Sequence, residues 1–126
     1  MACLVIVEGP ATGALFGLRS YKLVDVGRDE ECTFQVIDPL VSRHHLQIRA
    51  GSDGKHIVAD SGSANGMLVN GAPVAGEVPL KDGDEIKIGA TKIVYSETDY
   101  PDAQSAIIGV RPGRQYKAST IKPPNG

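Results

Sequence analysis

The chain has 126 residues, 41% hydrophobic and 22% charged, with 15 Gly, 8 Pro and no Trp. That suits one globular domain rich in turns, with a core of Val, Ile and Leu. A net charge of −2 argues against a general nucleic-acid binder, which needs surplus Lys and Arg. No apolar run reaches membrane-spanning length, and Met1–Glu8 lacks the cationic start of a signal peptide, so no membrane contact and a cytoplasmic location are expected.

In chain order the signal is strands and turns. Cys3–Glu8 is a short continuous apolar run, as in a strand buried on both faces. Leu15–Leu18 and Tyr21–Val26 form a second β region after the break at Pro10–Gly13. Residues 33–37 alternate around Phe34 and Val36. Leu46–Arg49 alternates apolar and polar, Gly51–Gly54 reads as a hairpin loop, and His56–Ala59 returns. Met67–Val69 ends at Asn70-Gly71, a strong hairpin signal, and Val74 is read as the start of the next strand. After the turn Asp82-Gly83-Asp84, Ile86–Ile88 and Lys92–Tyr95 close the pattern. No helical periodicity survives three turns. The expected fold is an all-β sandwich of two antiparallel-type sheets, with ten to eleven short strands and its functional loops at one end.

Charge divides the chain. Residues 1–97 carry 9 basic and 13 acidic side chains, whereas 98–126 carry 4 and 2. The first part reads as the domain and the second as a flexible extension or linker. Thr98 and Thr120 make that extension a candidate for docking, once phosphorylated, into its own domain or a second copy.

Three loop segments hold the polar chemistry: Gly27-Arg28, Ser42-Arg43-His44-His45, and Asp60–Gly66 with Asn70-Gly71 behind it. If they share one end of the sandwich, they gather guanidinium, hydroxyl and amide donors suited to a phosphate dianion, with no need for a carboxylate among them. The plain alternatives are an Arg28 paired with Asp29, Glu30 or Glu31, a turn-capping Ser42, and an Asn65-Gly66 present only for its backbone. His44 reads as a solvated strand-edge residue.

Taken together, Gly27-Arg28, Ser42-x-x-His45, Ser63-Ala64-Asn65-Gly66 and Asn70-Gly71 resemble the forkhead-associated (FHA) domain, over roughly residues 3–96. The resemblance implies a non-catalytic module reading phosphothreonine peptides. Arg28 and Ser42 then clamp the phosphate, Ser42 through its hydroxyl or its backbone N–H, and Arg43 and Asn65 contact phosphate or peptide backbone. Ser63 and Ala64 belong to the same binding loop. Gly27, His45, Gly66 and Asn70 support the site, with His45 tying the loops together. Many members carry Thr where this chain has Ala64, so one phosphate donor is missing. The loop Asp38–Val41 presents Leu40 and Val41, which implies an apolar preference three residues after the phosphothreonine. The implied partner is a phosphothreonine protein, a Ser/Thr kinase or its substrate. The alternative is a scaffold of the same fold that binds a protein partner, or itself, without phosphate.

No cofactor is expected. Cys3 and Cys32 read as reduced thiols. Neither has a Cys or His two to four positions away, and adjacent His44 and His45 point to opposite faces, so chain spacing contains no metal motif. A hydrolase triad of Ser42, His45 and Asp60 is rejected because Ser and His three apart at a loop-to-strand junction do not set up an activated nucleophile, and no Gly-x-Ser-x-Gly elbow occurs.

Overall fold

Alternating β-branched and polar residues, punctuated by glycine turns, leave this chain one way to bury its apolar atoms: short strands stacked in two layers. The computed structural model describes residues 2–18, 21–51 and 55–97, and the extension beyond 97 lies outside the described residues. There are eleven strands and no helix among them: β1 (Cys3–Glu8), β2 (Leu15–Gly17), β3 (Leu23–Gly27), β4 (Phe34–Gln35), β5 (Leu46–Ala50), β6 (His56–Asp60), β7 (Leu68–Val69), β8 (Ala72–Pro73), β9 (Glu77–Pro79), β10 (Glu85–Ile88) and β11 (Thr91–Ser96).

One sheet has the order β2-β1-β11-β10-β7-β8 and the other β4-β3-β5-β6-β9. The pairs with a recorded register are antiparallel except β3 with β4, which run parallel with Val26 opposite Phe34. The expected sandwich is present. One strand departs from expectation: Ala72–Pro73 forms β8 by pairing with β7, and Val74 follows it instead of starting a strand. β9 was not anticipated. Proline within Glu77-Val78-Pro79 reads as a breaker, yet the segment pairs only with β6 and forms the edge of its sheet, where a missing N–H is tolerated.

The core follows the strand period. On β5, Leu46 and Ile48 are buried while Gln47 and Arg49 face solvent. They meet Val24, Val26 and Val58 from their own sheet and Leu4, Ile6, Ile86, Ile88, Ile93 and Tyr95 from the other. Each such side chain contributes about 1.5–3 kcal/mol by leaving water. On β1 the opposite face is buried too, with Cys3 and Val5 packed against Val7 and Leu15. Tyr95 is the largest fully buried side chain. Its hydroxyl bonds His56 Nδ1 at 2.7 Å, and burial, then Glu97, pushes its phenol up to about 12.

Candidate functional site

Backbone pairing brings the loops after β3 and before β5 side by side. Arg28 and Asp29 donate their N–H groups to the carbonyls of Ser42 and Arg43 at 3.0 and 3.1 Å. This approach requires glycine at position 27, because a Cβ there would strike the Arg43 carbonyl oxygen. The β6–β7 loop completes the arrangement. Its organiser is Asp60, which accepts from the N–H groups of Gly62 and Ser63 and from the Ser63 hydroxyl. Burial pushes the Asp60 carboxyl up, but these hydrogen bonds outweigh it and hold the pKa below its ordinary value.

His45 joins the pieces. It is fully buried. Its Nδ1 accepts from Ser42 N–H at 3.0 Å and its Nε2 donates to the Gly66 carbonyl at 2.7 Å, which defines the neutral tautomer with its proton on Nε2. One side chain thereby ties the segment before β5 to the loop after β6.

The result is an open cleft of about 630 Å³ lined by Arg28, Asp29, Ser42, Arg43, His44, Gly62 and Ala64. Arg28 Nε donates to the Val41 carbonyl at 2.9 Å, which orients the guanidinium. Among the described residues neither Arg28 nor Arg43 forms an ion pair, so the pairing of Arg28 with Asp29, Glu30 or Glu31 does not occur. Ser42 Oγ accepts from Ala64 N–H at 3.0 Å and keeps its own proton to donate. The Ser42 N–H, by contrast, is engaged by His45 and does not face a ligand. An acidic residue does reach the cleft: Asp29 lines it, with Oδ1 accepting from Glu31 N–H at 2.8 Å.

Of the expected binding residues, Arg28, Ser42, Arg43 and Ala64 line this cleft, whereas Ser63 and Asn65 stand beside it. The Ser63 hydroxyl is engaged twice, donating to Asp60 and accepting from Gly66 N–H. Asn65 is exposed, and its Nδ2 donates to the Leu40 carbonyl at 2.9 Å. Gly66 adopts the left-handed φ of 78°. Asn70 lies behind, bonded to Asp84 and Glu85.

The loop before Ser42 differs from expectation. Leu40 is 54% exposed but Val41 is buried, so only Leu40 is presented. Asp38 anchors the loop. It is buried and accepts from Leu40 N–H, Ala90 N–H and the Thr91 hydroxyl. Burial raises its pKa, yet those bonds outweigh it and leave the carboxyl below its ordinary value. Sequence reading missed this role, because Asp-Pro looks like any turn opener and two of the three partners, Ala90 and Thr91, lie more than 50 residues away.

His44 also escaped notice as a cleft residue. It sits in a bend before β5, half exposed, with Nδ1 2.7 Å from Asp25 Oδ2. Cys32 lies behind it, donating its S–H to the Arg43 carbonyl. Burial, then Asp25, pushes that thiol up, in keeping with a protonated donor.

A two-sheet β-sandwich with three loops converging on a cationic, donor-rich cleft defines a class of anion-reading modules. Comparison with known proteins narrows the class: the profile of the FHA domain matches residues 24–89. The chain belongs to the FHA domain family. It is 40% identical over 94 residues to the oxoglutarate dehydrogenase inhibitor of Corynebacterium diphtheriae, covering 75% of this chain and 64% of that one. It is 37% identical over 94 residues to the glycogen accumulation regulator GarA of Mycolicibacterium smegmatis, covering 75% and 58%. The chain thus matches less than two thirds of the length of these relatives. Among solved structures, an FHA domain studied for phosphothreonine-dependent interactions superposes with a TM-score of 0.69 at 33% identity, over 79% of this chain and 98% of that one. No helix among the described residues is long and apolar enough to cross a membrane.

Proposed function

We propose that this FHA domain is a non-catalytic reader of phosphothreonine peptides, recruiting a protein modified by a Ser/Thr kinase, or the kinase itself, in the cytoplasm. The observation that carries the reading is the cleft where two guanidinium groups without ion-pair partners stand with a Ser42 hydroxyl still free to donate. A phosphate dianion is the ligand that engages all three, with Arg as a charged, paired donor. Beside the cleft, Asn65 has one amide nitrogen committed to the loop and its Oδ1 open to accept a peptide N–H. Residues 28, 42, 43 and 65 are therefore the binding set, while Ser63, Ala64 and Gly66 shape the loop, and Gly27, His45 and Asn70 hold the scaffold. Leu40 favours an apolar residue three places after the phosphothreonine.

A non-catalytic role fits the serine's surroundings. The contact between Ser42 and His45 runs through the backbone N–H, so the buried imidazole does not take the hydroxyl proton. Relatives named as an inhibitor and a regulator are consistent with a recognition module.

The test is calorimetric titration of a phosphothreonine peptide against its unphosphorylated twin. Phosphate-dependent binding is expected, and Arg28→Ala should weaken it at least tenfold, because a hydrogen bond to a charged group contributes about 1.5–3 kcal/mol. Equal binding of the two peptides would overturn the reading in favour of a phosphate-independent scaffold.

A further inference from the structure

Three metal-ligating side chains, separate in the sequence, meet on the flank of the cleft. Asp25 lies on β3, Cys32 in the loop before β4, and His44 in the bend before β5. A carboxylate oxygen of Asp25, the Cys32 Sγ and an imidazole nitrogen of His44 all lie within 4.8 Å of one another. His44 Nδ1 is 2.7 Å from Asp25 Oδ2 and 3.7 Å from Cys32 Sγ. Oxygen, nitrogen and sulfur together are the donor set of a borderline-soft divalent cation, whereas Mg2+ and Ca2+ want oxygen alone.

A second observation points the same way. Asp25 Oδ1 is buried and has no hydrogen-bond partner. Buried polar atoms are nearly always satisfied, so an orphan beside ligating groups calls for a partner, and a cation is one that fits a carboxylate oxygen. The contact between His44 and Asp25 engages Oδ2, and the Cys32 thiol beside the carboxylate donates to the Arg43 carbonyl.

We propose that Asp25, Cys32 and His44 form a Zn2+ site, with water in the fourth position. Tetrahedral Zn2+, with bonds of about 2.0–2.3 Å, spaces its ligand atoms about 3.3–3.6 Å apart. The nitrogen–sulfur separation of 3.7 Å is within about 0.1 Å of that range. The nitrogen–oxygen pair must open by roughly 0.6 Å to reach that spacing, and the half-exposed His44 is free to turn.

On binding, the Cys32 S–H bond breaks and its proton leaves to solvent as the sulfur–metal bond forms. The imidazole proton moves from Nδ1 to Nε2 through solvent, and the cation takes the place between Nδ1 and the Asp25 carboxylate, where Oδ1 also gains a positive charge to face. Cys32 then gives up its hydrogen bond to the Arg43 carbonyl. The cation would tie the loop after β3 directly to the segment carrying Ser42 and Arg43.

The experiment uses the full chain, with no peptide. Zn2+ is titrated in competition with a chelator, and Co2+ serves as the spectroscopic probe. One Zn2+ per chain is expected, together with the near-ultraviolet thiolate-to-Co2+ charge-transfer band. Cys32→Ser abolishes the band, while Cys3→Ser, far from the cluster on β1, keeps it. His44→Ala weakens Zn2+ binding at least tenfold, since loss of even an outer partner costs about 10–100-fold. His44 is on the surface, so that variant tests the site without threatening the fold. Absence of the band in the folded chain, its survival in Cys32→Ser, or unchanged Zn2+ affinity in His44→Ala overturns the proposal.

Discussion

Two Asn-Gly pairs, five residues apart, differ in how much hydrogen-bonding capacity folding leaves them. Asn70 and Gly71 both have positive φ, 51° and 84°, as the tight hairpin between β7 and β8 demands. Every polar group of Asn70 other than its carbonyl is engaged: Nδ2 donates to Asp84, Oδ1 accepts from Glu85 N–H, and its own N–H donates to the Glu85 carbonyl. Asn65 makes one such bond, to Leu40, and among the described residues its Oδ1 has no partner. Arg28, Ser42 and Arg43 around it are similarly underused. The lesson is that the letters of a motif do not separate scaffold from reader. Hydrogen-bonding capacity left over after folding does.

The comparison can be broken at several points. The largest effect is expected at the hinge between the two roles. Gly27→Ala forces a methyl against the Arg43 carbonyl and should cost about 3 kcal/mol or more, read as the shift in a urea unfolding curve. An unshifted midpoint would mean that the two loops are not held together as described.

Next is Ala64→Thr. If the reader face lacks one donor, a hydroxyl placed there should tighten phosphothreonine-peptide binding about tenfold, the worth of one more bond to a charged group. No change in the titration would show that residue 64 does not reach the phosphate.

The paired Asn variants probe the contrast itself. Asn70→Ala loses both side-chain bonds and keeps an unfavourable φ, so it should cost about 1–2 kcal/mol, with peptide affinity intact. Asn65→Ala should do the converse, weakening the peptide severalfold and moving the unfolding midpoint little. Matching profiles for the two variants would dissolve the distinction.

The smallest effect is in the pH dependence. The carboxyls of Asp38 and Asp60 lie below their unfolded value of 3.8, so the unfolded chain binds protons first on acidification. Stability from these groups is complete above that value and is lost as pH falls through their folded values. Urea midpoints should therefore decline on the acid side, and Asp38→Asn should flatten the decline. An equal slope in wild type and variant would remove Asp38 as the loop anchor.

Much of the fold was legible because strand burial is local. The continuous apolar run at Cys3–Glu8 reads as a strand covered on both faces, and Cys3, Leu4, Val5 and Ile6 are all buried, with exposure returning only at Glu8. Alternation at Leu46–Arg49 reports one face in and one out. β9 was not legible, since its proline reads as a breaker until its place at the edge of the sheet is known. Val41 was misread as presented, because nothing local distinguishes it from exposed Leu40.

The amino-acid order alone determined the all-β class, the placing of the main turns, and the neighbourhood of Arg28, Ser42 and Asn65, since period and turn chemistry act over a few residues. Only the tertiary structure decided which polar atoms are already engaged. It turned Ser42 N–H toward His45, fixed Asp38 on Thr91, brought Asp29 to the cleft, and gathered Asp25, Cys32 and His44. Each of these depends on which strands become neighbours, a choice made by the burial of the whole core and written in no single segment.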